Sequence, residues 1–382
     1  MKRVLAGLAA VAALSATAGG AAPVPPREVA PIPVSLLVDI GSGQVLEERD
    51  ADRRFLPASM TKVMTAYVAF EEIAAGRLKP TREFTVREET SHVWRRRITS
   101  LYLQPGTRIN TDRLLHGIAT VSANDAAVVL AEGYAGSVPA WAAMMNREAR
   151  RLGMTQSSFA TPNGWPDGGL TQVSARDLVT LASALIRRHP LLYRHYIGQK
   201  SMTYGGVTQE NHDPTLGVVP GADGIKTGHT NEAGFNFLGS AERGGRRLVM
   251  VIGGSASGPQ RAAAARALLE WGFSAWRTRP LFPAGATIAR ALVQGGKARS
   301  VPLFAAGPVY AAMPRGTTQP VKLTLHYRGP IVAPIAKGTP VAELEIDVLG
   351  LRPGRVPLYA GKRVSEAGPL DRLLNGLVGL IR

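Results

Sequence analysis

Residues 59–73 carry apolar side chains at the spacing of an amphipathic helix. The apolar positions follow i, i+3, i+4, i+7 and i+8, and they are Met60, Val63, Met64, Tyr67 and Val68. This stripe predicts a helix that is packed on one side and begins at Ser59, after a proline-marked turn. Gly76 is placed to close the helix.

Other segments alternate between helical and strand periodicity. Helical runs are predicted at 114–118 after a capping Thr111, and at 125–134, 141–152, 174–188 and 260–276. Strand-like runs occur at 34–39, 44–46, 224–230, 234–238 and 248–252, with a turn at 243–246. Strands at both ends of residues 34–277, with helices between them, predict one antiparallel sheet covered by helices, with a helical lobe at one end.

The pattern of apolar and turn residues changes after residue 277. Residues 278–362 hold short alternating runs between Gly and Pro turns, which fits a small β-sandwich domain. Residues 363–382 form a tail in which Pro369 starts a terminal amphipathic helix with one apolar stripe. That stripe has two interpretations: it docks on the second domain, or it lies in a membrane surface.

The amino terminus reads as an export signal at residues 1–22. Lys2 and Arg3 precede an apolar run that is too short to span a membrane, and small residues follow as candidate cleavage sites. An uncleaved anchor is the alternative. A Pro-rich leader at 23–33 is expected to be extended and mobile. We therefore expect an exported protein, in the periplasm or peripherally attached to the outer face of the cytoplasmic membrane.

Composition narrows the partners. The 382-residue chain is long enough for two domains, has a formal net charge of +17 and contains no cysteine. A net positive charge of this size suits binding to nucleic acid, to an anionic membrane face or to an anionic polymer. The charges are scattered, however, and the densest run, Arg95-Arg96-Arg97, is short for a nucleic-acid stripe. The dispersed histidines show no zinc-ligand spacing in the sequence.

Ser59 and Lys62 form a candidate nucleophile and base. A serine hydroxyl needs a neighbouring base, and helix geometry places Lys62 one turn away on the same face. The ordinary alternative is a helix cap followed by a solvated lysine. Two further clusters occur downstream, Ser122-Ala123-Asn124 before a helix and Lys226-Thr227-Gly228 on a strand. Taken alone, the second could cap its helix and the third could lie at a strand edge.

Together the clusters form the ordered set S-x-x-K, S-x-N and K-T-G of penicillin-interacting serine acyltransferases. With the flanking stretches 103–106, 114–117, 161–164 and 221–230, the chain resembles the low-molecular-mass penicillin-binding proteins that are D-alanyl-D-alanine carboxypeptidases. The resemblance covers about residues 30–276. It implies a β-lactamase/transpeptidase-like α/β (α+β) fold, in which helices flank a five-stranded antiparallel sheet.

The resemblance also implies roles for the clusters. Ser59 attacks an acyl carbonyl, Lys62 accepts its proton if neutral, and Ser122 protonates the leaving amine. Asn124 holds Lys62 and the substrate amide in register. The implied substrate is a peptidoglycan stem peptide ending in D-Ala-D-Ala, with β-lactam antibiotics as covalent inhibitors and neither metal nor organic cofactor.

The third cluster is implied to bind the substrate. Lys226 and Thr227 meet the terminal carboxylate, and the Lys226 charge helps to keep Lys62 neutral. Gly228 lets the substrate lie against the strand edge. Backbone N–H groups of His229 and Ser59 meet the oxyanion. One departure is Asn211-His212-Asp213, where the family has Asn-x-Asn, and it bears on the fine shape of the cleft.

Three rival functions share some of these features. A β-lactamase needs a deacylating glutamate between the second and third clusters, and residues 155–199 contain none. A D,D-endopeptidase that cuts cross-links would use the same serine, and the β-rich second domain favours the carboxypeptidase. A non-catalytic wall-binding or nucleic-acid-binding protein would not need all three clusters, and export disfavours nucleic acid.

Overall fold

An antiparallel sheet forms the centre of the first domain in the computed structural model, which describes residues 22–368. The strands of this domain, in chain order, are β1 Val34–Asp39, β2 Gln44–Arg49, β3 Glu83–Thr85, β4 Arg108–Asn110, β5 Ser201–Tyr204, β6 Val207–Glu210, β7 Ala222–Thr230, β8 Gly234–Arg243 and β9 Arg246–Ser255. Five of them form the sheet in the order β2-β1-β9-β8-β7, with every neighbouring pair antiparallel. This confirms the expected five-stranded sheet.

In the described part of the chain, eight helices surround the sheet and build the lobe beside it. They are α1 Thr61–Ala74, α2 Glu88–Trp94, α3 Thr111–Thr120, α4 Asn124–Ala135, α5 Val138–Leu152, α6 Ala175–Arg188, α7 Pro190–Tyr196 and α8 Gly258–Ser274. Alternation along β1 supplies both faces of the sheet. Leu36 joins the core that includes α1 and α6, whereas Leu37 joins the core that includes α8. The sheet is therefore covered by helices on both sides.

Helix α1 is the central element of the larger core. Every residue from Thr61 to Phe70 is buried, including the polar Lys62 and Thr65. The prediction of a helix packed on one side was therefore wrong, because α3, α5 and α6 pack around it. Its end agrees with the prediction, since Gly76 has φ +73° directly after the last turn.

Two predicted helix boundaries shift. Asn110, rather than Thr111, caps α3, because its side chain accepts a hydrogen bond from the backbone N–H of Arg113 at 2.9 Å. Trp276 does not end α8. It begins the strand that leads into the second domain, and its indole is buried between the two domains' elements.

The segment expected to be an extended, mobile leader is packed on the domain. Residues Arg27–Val29 form a 3-10 turn, and Val29 and Ile32 are fully buried against α8. Arg49 donates hydrogen bonds to backbone carbonyls in this segment, including that of Ile32 at 3.1 Å. The prolines predicted an extended and mobile segment. The burial of Val29 and Ile32 instead offsets the entropy cost of ordering it.

Within residues 276–368, the second domain contains strands and no helix, as expected for residues 278–362. They are β10 Trp276–Phe282, β11 Ala289–Gln294, β12 Ser300–Phe304, β13 Val309–Pro314, β14 Val321–His326, β15 Ile331–Val332, β16 Pro340–Val348 and β17 Gly354–Ala360. A sheet of order β14-β16-β17-β12-β11-β15 shares one core with the β10–β13 pair. The two domains contact each other through β2, where Gln44 Oε1 accepts from the Ala312 N–H at 2.5 Å.

Two expectations lie outside the described residues. The export signal falls in residues 1–21, apart from its last residue, and the terminal amphipathic helix falls in residues 369–382. Among the helices of residues 22–368, none has the length and apolar character needed to cross a membrane.

Candidate functional site

Ser59 and Lys62 lie where a 3-10 turn, Ala58–Met60, passes into α1. Lys62 Nζ is 2.9 Å from Ser59 Oγ, 2.8 Å from Asn124 Oδ1 and 2.8 Å from the backbone carbonyl of Asn163. The lysine is buried, whereas Ser59 stays partly exposed to the cleft. The predicted pair is therefore in direct hydrogen-bond contact, and neither residue is a simple cap or a solvated charge.

The environment of Lys62 favours its neutral form. Burial lowers the pKa of Lys62 well below its ordinary value, and the positive charge of Lys226 lowers it further. The carboxylate of Asp125 acts in the opposite direction but is the smaller influence. A neutral amine at this distance from a hydroxyl can accept its proton.

Asn124 connects the second cluster to the first. Its Oδ1 accepts from Lys62, and its Nδ2 donates to the carbonyl of Ile98 at 2.8 Å. Its side chain makes no cap for α4, and Ser122 is not the cap residue either. Ser122 is buried, faces the cleft and has φ +63°, a strained conformation for a residue with a side chain.

Asp125 is a residue of this region whose role the sequence did not indicate. Its buried carboxylate accepts from the backbone N–H groups of Leu101 and Leu103 and from the Ser100 hydroxyl at 2.6 Å. These contacts tie the loop before β4 to the start of α4. That loop carries Ile98 and Thr99, which line the cleft.

The third cluster lies on β7, the edge strand of the sheet that faces α1. Lys226 and Thr227 are both buried. Burial lowers the pKa of Lys226 to about 7, and Arg261 adds to the effect while Asp213 opposes it. Arg261, on α8, also lines the cleft, and its Nε is buried with no hydrogen-bond partner among the described residues. No sequence pattern singles out Arg261, because it occupies an ordinary helix position far along the chain.

Gly228 is required by the chain that carries the nucleophile. A Cβ at this position would lie 2.3 Å from the carbonyl oxygen of Pro57 and 3.2 Å from the backbone nitrogen of Ser59. The Pro57–Met60 backbone occupies the space that a side chain would fill, which is a reason for glycine here beside the predicted approach of substrate to the strand edge. Asn236 on β8 holds the same turn, donating to the Leu56 carbonyl at 3.2 Å.

The loop at 161–164 packs on the other side of the nucleophile. Thr65 Oγ1 donates to the Pro162 carbonyl at 2.6 Å, and the Asn163 carbonyl contacts Lys62. Gly164 has φ +74°, and a Cβ there would lie 1.8 Å from the Ala58 carbonyl oxygen. This Thr-Pro-Asn-Gly sequence was visible as part of the family resemblance, but its contact with the lysine required the tertiary structure.

These parts surround a cleft of about 520 Å³. Of the eight predicted site residues, Ser59, Ser122, Asn124, Thr227, Gly228 and His229 line the cleft. Lys62 and Lys226 are buried close to this lining, Lys62 through its contacts with Ser59 and Asn124. The His229 ring is exposed and stacks on Phe235, with 3.8 Å between ring centroids. Trp165, which the sequence did not single out, adds an aromatic wall and contacts Trp94 edge to face.

The unusual Asn211-His212-Asp213 segment also reaches the cleft. His212 lines it, while Asp213 turns inward and accepts from the Thr215 N–H at 2.7 Å and the Thr215 hydroxyl at 2.6 Å. Burial lowers the pKa of His212, which favours the neutral imidazole. The departure from the expected pattern is Asp213 in place of a second asparagine, which puts a partly buried carboxyl group near Lys226, where its charge acts to raise the pKa of that lysine, while His212 occupies the variable middle position.

Comparison with known proteins agrees with this geometry. Residues 30–257 match the family model described as D-alanyl-D-alanine carboxypeptidase, and residues 276–366 match that of the penicillin-binding protein 5 C-terminal domain. The chain is 32% identical over 349 residues to D-alanyl-D-alanine carboxypeptidase DacA of Escherichia coli K12, covering 89% of this chain and 85% of the relative.

Solved structures give the same result. Penicillin binding protein 5 from Haemophilus influenzae superposes with a TM-score of 0.71 at 30% identity, covering 90% of this chain and 99% of that one. Penicillin-Binding Protein D2 from Listeria monocytogenes, solved in its ampicillin-bound form, superposes with a TM-score of 0.57 at 29% identity, covering 64% and 97% respectively.

Proposed function

This chain belongs to the D-alanyl-D-alanine carboxypeptidase family of serine peptidases, and from that premise we propose how its own residues release a terminal D-alanine. The substrate is a peptidoglycan stem peptide that ends in D-Ala-D-Ala. The observation that carries the proposal is the buried Lys62 amine, held between Ser59 Oγ, Asn124 Oδ1 and the Asn163 carbonyl.

Acylation begins at Ser59. Its Oγ attacks the carbonyl carbon of the penultimate D-alanine while its proton passes to the neutral amine of Lys62. Ser122, which also lines the cleft, delivers a proton to the nitrogen of the leaving D-alanine as the peptide bond breaks, and the proton that Lys62 took from Ser59 passes on to restore the Ser122 hydroxyl and the neutral amine. Asn124 keeps Lys62 aimed at the nucleophile, because it binds the amine with its carbonyl and the Ile98 loop with its amide.

The negative charge that forms on the carbonyl oxygen needs donors in the cleft. We assign the backbone N–H groups of Ser59 and His229 to this role by analogy with the family. The close approach of Gly228 to the Ser59 backbone supports it, since it brings the two chain segments side by side. Water then hydrolyses the ester on Ser59 and frees the shortened peptide.

The free carboxylate of the substrate explains the preference for a chain end. Thr227 and Arg261 line the cleft, and the charge of Arg261 acts on the buried Lys226 next to Thr227, so we assign the substrate carboxylate to these three side chains. The orphaned Nε of Arg261 is a donor that a bound carboxylate would satisfy. A β-lactam carries both a strained amide and a carboxylate, so it enters the same site and acylates Ser59. The ampicillin-bound relative supports this reading.

Covalent labelling tests the catalytic assignment. The protein is incubated with a fluorescent penicillin, alongside Ser59→Ala, and label is read after denaturing electrophoresis. We expect label on the wild type only, and absence of label on the wild type would overturn the proposal. Release of D-alanine from a peptide ending in D-Ala-D-Ala then separates the carboxypeptidase from a D,D-endopeptidase, which would instead cleave a cross-linked dimer of stem peptides.

We also propose that the protein is exported and lies peripherally on the outer face of the cytoplasmic membrane. The support is the amino-terminal signal pattern and the apolar stripe in residues 369–382. Deleting residues 369–382 should move the exported protein from the membrane fraction to the soluble fraction. Unchanged recovery with membranes would show that the stripe serves another purpose.

A further inference from the structure

Three metal-ligating side chains meet on the helical side of the first domain, outside the catalytic cleft. Asp112 and His116 belong to α3, and His195 belongs to α7. Asp112 Oδ1 lies 3.2 Å from His195 Nε2 and 3.9 Å from His116 Nε2. One ligand atom from each residue lies within 4.8 Å of the other two. No other described group of His, Cys, Asp and Glu side chains in residues 22–368 meets this test.

Helix geometry makes the cluster possible. Asp112 and His116 are four residues apart, so they lie on the same face of α3. The end of α7 brings His195 against that face, and the two imidazole rings pack edge to face with 4.9 Å between centroids. The sequence places only Asp112 and His116 one helical turn apart, and His195 is distant from both in the chain. The juxtaposition exists only in the folded chain.

Neighbouring groups fix the ligands. The Tyr196 hydroxyl donates to Asp112 Oδ1 at 2.9 Å, which holds the carboxylate in place. The Tyr196 ring also packs edge to face against the His116 ring and the His195 ring, with 4.8 and 4.5 Å between centroids. Outer contacts of this kind orient ligands in metal sites and are a usual part of such sites.

We propose that Asp112, His116 and His195 bind one Zn²⁺ ion, with water in the remaining position. Two imidazoles and one carboxylate are a ligand set that zinc accepts, and they disfavour Mg²⁺, which prefers oxygen ligands alone. Zinc–ligand bonds of about 2.0–2.1 Å require ligand atoms roughly 3.3 Å apart in a tetrahedron. The Asp112–His195 pair already has this separation. To reach tetrahedral separations, the imidazole nitrogens must move slightly inward. His195 can make this movement because its side chain is more than half exposed.

The site has a structural consequence for the cleft. Helix α3 leads into the Ser122 turn, and α7 carries Tyr193, whose hydroxyl donates to Asp223 Oδ1 at 3.1 Å near the start of β7. An ion that bridges α3 and α7 therefore ties together supports of the second and third clusters. None of the three ligands lines the cleft, so the ion stabilises the domain and takes no part in the reaction.

Titration calorimetry tests the proposal on the full chain, without an affinity tag and freed of metal by chelation. ZnCl₂ should give one saturable site, and MgCl₂ should give none. His116→Ala and His195→Ala should each raise Kd at least about 100-fold, and Tyr196→Phe should raise it about 10-fold. The matched control is His326→Ala, because His326 pairs with a single carboxylate, Glu345, at 3.3 Å and should leave Kd unchanged.

A second readout separates binding from folding defects. Zinc should raise the Tm of the wild type and of His326→Ala, but not that of His195→Ala. Metal-free His195→Ala should react with fluorescent penicillin at the wild-type rate, which establishes that it is folded. The proposal is overturned if zinc shows no saturable binding, or if binding is the same in the wild type and in both histidine variants.

Discussion

Lys62 Nζ lies 2.9 Å from Ser59 Oγ while the lysine side chain is almost entirely removed from solvent. A charged ammonium would be costly in such a position, so the same burial that destabilises the charge prepares the base. We therefore expect Lys62→Met to lower the acylation rate by about 10²–10⁴-fold, the usual contribution of a general base. Single-turnover labelling by a fluorescent penicillin measures this. Lys297→Met, at an exposed lysine of the second domain, should react normally.

The two lysines predict a bell-shaped pH dependence. Lys62 must be neutral to accept the Ser59 proton, so kcat/KM should rise as pH increases through its lowered pKa. Lys226 must be protonated to bind the substrate carboxylate, so kcat/KM should fall as pH passes through its pKa of about 7 in the free enzyme. A bound carboxylate raises that pKa, so the alkaline limb of kcat should lie at higher pH.

Lys226→Arg provides the control for this assignment. Arginine keeps its charge throughout the accessible pH range, so the alkaline limb should disappear even if overall activity is reduced by the altered shape. The measurement is D-alanine release across pH at low and saturating substrate. A wild-type kcat/KM that continues to rise above pH 9 would contradict the role of Lys226.

Gly228 links β7 to the turn that carries the nucleophile. Gly228→Ala would place a Cβ 2.3 Å from the Pro57 carbonyl oxygen, so the turn and Ser59 must move. Because small displacements of reacting groups are expensive, we expect the acylation rate to fall at least about 100-fold in a protein that still folds. Gly307→Ala is the matched control, since a Cβ there meets no atom within 4 Å. Wild-type acylation by Gly228→Ala would show that the turn is not held by this contact.

Ile32 anchors the amino-terminal segment to α8. Its side chain is fully buried, so Ile32→Ala should lower the free energy of unfolding by about 2–5 kcal/mol, the usual range for such a truncation in a core. Val24→Ala should change it by less than about 0.5 kcal/mol, because Val24 is 86% exposed. Urea denaturation of both variants distinguishes a packed segment from a free leader, for which the two substitutions would have equal effects.

Local pattern was sufficient for much of the architecture. Helical and strand periods predicted α1, α4, α5, α6 and the strands of the central sheet to within a few residues. A helix or strand that buries one face repeats its apolar residues at its own period, so this part of the fold can be predicted from spacing alone. The ordered clusters at Ser59, Ser122 and Lys226 identified the site, since the chemistry requires those residue types.

The tertiary structure decided what each residue touches. Periodicity could not show that α1 is buried on all sides, nor that Val29 and Ile32 pack on α8, because burial depends on elements distant in the chain. Tertiary contacts also explain why residue 228 is a glycine, Gly228. They place Arg261 beside Lys226 and bring His116 to His195. The sequence by itself determined which chemical groups are present and in what order. Folding alone decided their separations and their solvent exposure, and through these whether Lys62 is an ammonium or a base.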